Sequence, residues 1–99
     1  MKRGGSVYII TNKHHTTLYV GVTSDLVKRI SQHREKFYPT SFTAKYNINK
    51  LVYFENLPTI KEAIVREKQL KAGSRQKKLD LINTMNPKWD DLYDVIKEW

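Results

Sequence analysis

The sequence predicts an α+β fold, a small three-stranded antiparallel sheet flanked by helices. Three observations predict it. Two short runs rich in β-branched and aromatic residues, "VYIIT" (7–11) and "LYVGVT" (18–23), flank the polar link "NKHHTT", which reads as a hairpin. A third such run, "KLVYFEN" (50–56), stands apart from them. Elsewhere apolar residues recur at helical spacing between capping residues. The predicted order is ββαβααα, a single domain over residues 1–99, near the commonest domain size.

Each element has its own signal. Thr23, Ser24 and Asp25 supply N-cap and first-turn residues for a helix from about Asp25 to Lys36. Residues 38–49 read as a loop or a short broken helix. After the third strand, Pro58 and Thr59 open a helix that reaches Ala72 and is closed by Gly73. Ser74 caps the next helix, which Asn86 and Pro87 end. In the short last helix Trp89, Leu92, Ile96 and Trp99 share one face.

Composition bounds the function. Hydrophobic residues make up 39% and charged residues 28%, a globular balance. There is no cysteine, which excludes a disulfide framework and a thiolate metal site and fits a cytoplasmic protein. The opening "MKRGGSVYII" is basic, but its apolar run is short for a signal peptide, and no stretch approaches a membrane span. Eighteen Lys and Arg against ten Asp and Glu leave a net charge of +8. That excess points to an acidic partner, nucleic acid first.

Some polar residues fall where apolar ones belong. At about 100° per residue the first helix groups Leu26, Ile30, Arg34 and Phe37 in one sector, with His33 at its edge and Arg29 a little beyond. Such a pair can be a boundary arginine that snorkels to water and a packed histidine, or part of a site. In the next long helix Ile60, Ala63, Ile64 and Leu70 define a stripe, and Glu67 falls inside it, whereas Glu62 lies opposite. A buried carboxylate calls for a cation, either an arginine such as Arg29 or a divalent metal, unless it lies at the open end of the stripe. Lys61, Arg66, Lys68, Lys71, Arg75, Lys77 and Lys78 crowd the second and third helices. Cations in the first turn of the third helix oppose its dipole, and together with the N-terminal amides they suit phosphate. His14 and His15, adjacent in a loop with no ligand cluster beside them, make a poor zinc chelate.

Taken together these residues resemble the GIY-YIG endonuclease domain over nearly the whole chain. The first signature reads "SVY" (Ser6–Tyr8) and the second "YVG" (Tyr19–Gly21). "TSDLVKRISQH" with Arg29 and His33, then "AIVREKQLK" with Glu67, complete the ordered set. The ending "NPKWDDL" is similar to small standalone bacterial members; the same module forms the incising part of the excinuclease C subunit and occurs in some homing endonucleases. Two positions depart from the pattern. Ser6 stands for the leading glycine, and Val22 and Thr23 stand where many members have a lysine.

The resemblance implies a metal-dependent DNA endonuclease of repair or recombination; structured or single-stranded DNA as substrate, a cytoplasmic location and a monomer are the accompanying expectations. Tyr8 would be a general base or relay toward the attacking water, and Tyr19 would orient the phosphate or the water. Arg29 would hold the phosphate, His33 would assist the relay, and Glu67 would bind one Mg²⁺ or Mn²⁺. Gly21 would let the backbone pass close to the site. Lys68, Lys71, Arg75, Lys77 and Lys78 would contact DNA phosphates. Two alternatives stay open: a nucleic-acid-binding protein with lost or weak catalysis, and a basic face that meets an acidic protein.

Overall fold

The computed structural model describes residues 4–99; the basic opening at 1–3 lies outside the described residues. The chain runs β1 (Gly5–Thr11), β2 (Leu18–Thr23), α1 (Leu26–Arg34), α2 (Phe42–Lys45), β3 (Lys50–Leu57), α3 (Ile60–Ala72), α4 (Arg75–Met85) and α5 (Tyr93–Ile96). The sheet is antiparallel in the order β2-β1-β3, so the first strand is the central one. Every residue of β1 is buried. It does not alternate apolar and polar because helices cover both of its faces.

The alternation of β1 divides the core in two. Val7 and Ile9 point to one side, where Ala63 and Leu70 of α3 and Ile82 of α4 pack with Val20, Val52 and Tyr53. Tyr8 and Ile10 point to the other, against Leu26 and Ile30 of α1, Ile48, Leu51 and Ile96. Burying each of the larger aliphatic side chains contributes roughly 1.5–3 kcal/mol. Gly5 has a packing role: a Cβ there would lie 2.9 Å from the Ala63 methyl, so glycine lets α3 approach the strand.

The caps at Asp25, Thr59 and Ser74 form as read: each side chain accepts a hydrogen bond from the backbone N–H three residues on. Four readings need correction. The first helix ends at Arg34 rather than Lys36, because Lys36 adopts a left-handed φ of 53°. The Phe37 amide then bonds back to Gln32 and the Lys36 amide to His33, a Schellman closure. That turn throws Phe37 outward, so it is 58% exposed rather than part of the stripe, and Arg34 pairs with Asp91 at 2.6 Å. In α3 the stripe narrows to Ala63, Glu67 and Leu70, since Ile60 and Ile64 lie near the rim. Residues 93–96 alone form the last helix: Trp89 stacks on His15 at 4.7 Å beyond it, and Trp99 meets Phe54. Within 38–49 the broken helix of the sequence reading is α2, capped by Ser41.

Candidate active site

Tyr8 lies on β1 and Tyr19 on β2, on the sheet face that α1 covers. Directly opposite Tyr8 in the ladder is Gly21. A Cβ on Gly21 would sit 2.3 Å from the Tyr8 hydroxyl oxygen. The phenol therefore occupies the space that any other residue at 21 would fill. No glycine described here has a positive φ, so Gly21 is required for room rather than for an unusual turn of the backbone.

Over this floor α1 places Arg29 and His33 one turn apart. The His33 ring stands edge-on to both tyrosines, with centroids 5.7 Å from Tyr8 and 6.1 Å from Tyr19. Its Nε2 lies 3.0 Å from the Tyr8 hydroxyl, and its Nδ1 lies 3.0 Å from the Thr43 hydroxyl. Arg29 stands close enough for its positive charge to bear on the Tyr8 phenol. Tyr19, Arg29 and His33 line an open cleft of about 200 Å³ together with Tyr38 and Phe42. A wider groove of about 740 Å³, beside Gly5, Asp25 and Leu57, contains none of the candidate residues.

The electrostatics of the cluster oppose its charged forms. Burial pushes the Tyr8 phenol up to about 12, against the pull of Arg29. Burial, with Arg29 nearby, brings His33 down to about 4, so the imidazole is neutral near pH 7.

Glu67 approaches from the other side of the sheet. It is 9% exposed, and its charge reaches Tyr8. Its ion-pair partner is Lys71 rather than Arg29: the Lys71 Nζ lies 2.6 Å from Oε2 one turn along α3. That contact raises the pKa of Lys71. The spacing of four was the signal in the sequence that could have identified the pair. Among the described residues no group of three or more His, Asp and Glu gathers to hold a metal.

The basic residues divide by what they already touch. Lys68 and Lys77 are exposed along α3 and α4. Arg75 reaches the His15 carbonyl at 3.4 Å, and Lys78 donates to the Gly73 carbonyl at 2.8 Å. Lys71 is half-exposed and pairs with Glu67. Thr43 also escaped that reading, because it lies in a segment without periodic signal.

A tyrosine-bearing hairpin, crossed by a helix that aims arginine and histidine at it, defines a class of small nuclease domain. Residues 4–80 match the family described as the GIY-YIG catalytic domain, and the chain belongs to that family, a family of nucleases acting on nucleic acid. It is 37% identical over 71 residues to a UPF0213 protein of Syntrophus aciditrophicus, covering 72% of this chain and 80% of that one. It is 39% identical over 77 residues to a UPF0213 protein of Staphylococcus saprophyticus, covering 78% and 92%. The solution NMR structure of the UPF0213 protein BH0048 from Bacillus halodurans superposes with a TM-score of 0.56 at 26% identity, over 93% of this chain and 96% of that one.

Proposed function

We propose that this chain is a divalent-metal-dependent endonuclease that hydrolyses phosphodiester bonds in DNA. The observation that supports it most is the hydrogen bond from the buried Tyr8 to His33, which together with Tyr19 and Arg29 lines a cleft.

The donor set fits one hard cation. A single nearly buried carboxylate, Glu67, is what Mg²⁺ or Mn²⁺ accepts when phosphate oxygens and water complete the shell. When bound, such an ion supplies positive charge to the phosphate. The protein's own groups divide the rest of the work. Arg29, always charged and forked, would hold two phosphate oxygens as negative charge builds on them. Tyr19 would orient the phosphate from the edge strand. Tyr8 would take a proton from the attacking water while passing its own to His33 Nε2, so the phenol need never ionise. Lys68, Arg75 and Lys77 would hold flanking phosphates. A cytoplasmic monomer working in DNA repair or recombination completes the proposal.

A second reading, DNA binding with lost or weak catalysis, draws on two observations. Lys71 already neutralises Glu67, and the phenol is held near 12. One assay separates the readings: plasmid, single-stranded and branched DNA, each with Mg²⁺, Mn²⁺ or EDTA. The nuclease reading expects cutting with metal alone, and loss of cutting by orders of magnitude in Arg29→Lys with DNA affinity retained. Salt-sensitive binding without cutting under any condition would establish the binding protein instead.

A further inference from the structure

We infer that Thr43 is a positioning residue for this site: its hydroxyl accepts the Nδ1–H of His33 and so supports the tautomer that leaves Nε2 open to the proton of Tyr8. The inference rests on the nuclease reading for its catalytic consequence and on geometry for the rest.

The direction of each hydrogen bond follows by elimination. Tyr8 is 1% exposed and its hydroxyl carries one proton. The hydrogen bond described for that hydroxyl is to His33, and the other group whose charge bears on it most, the Arg29 guanidinium, can only donate. The acceptor for the buried phenol proton is therefore His33 Nε2, at 3.0 Å. With Nε2 bare, the single proton of a neutral imidazole is on Nδ1, and Nδ1–H donates to the Thr43 hydroxyl oxygen at 3.0 Å. Thr43 in turn lies 3.4 Å from the Ser41 hydroxyl, which also accepts the Ala44 amide at the start of α2. Thr43 is 5% exposed, so water does not substitute for it freely.

The tautomer decides what the site can do. With the proton on Nδ1, one proton moves from water to the Tyr8 oxygen as the phenol proton moves to Nε2. The products are a neutral phenol and an imidazolium whose Nδ1–H still rests on Thr43. With the proton on Nε2, His33 can accept nothing from Tyr8, and the phenol would have to ionise alone.

Nitrogen NMR of the histidine side chains in the metal-free protein reads the tautomer without reference to activity. The wild type and Thr43→Ser should show His33 protonated at Nδ1. Thr43→Val, similar in shape but without the hydroxyl, should shift His33 toward the Nε2–H form. In cleavage, Thr43→Val should lower kcat about tenfold or more with KM and DNA affinity little changed, and Thr43→Ser should restore it. An Nδ1–H tautomer kept in Thr43→Val, or an unchanged kcat in that variant, overturns the inference. An inert wild type overturns the nuclease reading and the catalytic half of this one, while the spectra still decide whether Thr43 orients His33.

Discussion

At the scale of single residues, the site depends on one missing side chain. Gly21→Ala would place a methyl 2.3 Å from the Tyr8 oxygen and displace the ring from His33. Overpacking of this kind costs about 1–3 kcal/mol, so a lowered melting temperature with loss of cleavage is expected. His33 sets a pH dependence whose sign is fixed. In the unfolded chain the imidazole protonates near 6.5, whereas in the folded protein burial holds it to about 4. Between those values the unfolded state binds more protons, so stability falls as pH falls from 6.5 toward 4. Denaturant unfolding at pH 7 and pH 4.5 should show the wild type losing more stability than His33→Gln, a difference that cancels the contribution of the carboxylates.

Helices and strands carry the next set of consequences. In α3, Glu67 is joined to a half-exposed lysine rather than to a buried arginine. Glu67→Gln should then change the stability of the EDTA-treated protein by only about 0–1 kcal/mol. Mg²⁺ should raise the melting temperature of the wild type and not of the variant, and cutting should disappear. Around α2, Phe37, Tyr38, Phe42 and Tyr46 are all more than half exposed, and Phe37–Tyr38 and Phe42–Tyr46 each pack at 4.9 Å. Beside the cleft such a ledge offers faces for unpaired bases, each worth about 1–3 kcal/mol. Tyr38→Ala with Phe42→Ala should weaken binding of a single-stranded oligonucleotide well beyond that of a duplex, measured by anisotropy. The ledge was hard to read in the sequence. The first helix stops at a lysine in the left-handed region, where glycine is the usual mark, and α2 is four residues long, too short to show a period. Asn47, left-handed at 56° after α2, was the one readable stop.

Over the whole molecule, the charge of +8 should make binding to any nucleic acid fall steeply with salt. Neutralising Lys68 or Lys77, both exposed, should reduce the slope by about one each across sequences. Lys78→Ala should instead lower the melting temperature as well, since its ammonium holds the Gly73 carbonyl at the α3–α4 junction. What the sequence disclosed follows the same division. Strands, caps and the ordered set of Tyr8, Tyr19, Arg29, His33 and Glu67 were legible because each depends on local chemistry or on a spaced signature. Thr43 was not, because its meeting with His33 is decided by how the 35–49 segment folds back over α1, which no local pattern encodes.

The central place of β1 also bears on how the molecule comes to be folded. Its pairing with β2 closes only the short link at 12–17, and α1 follows at once, so Tyr8, Tyr19, Gly21, Arg29 and His33 all lie in one contiguous stretch. Pairing with β3 must wait for a far longer loop to close, and Glu67 arrives later still. The aromatic and imidazole half of the site is thus expected to form in the low-contact-order nucleus, and the carboxylate half to dock afterwards. Changes in the hairpin should slow refolding, whereas changes in α3 and α4 should chiefly hasten unfolding.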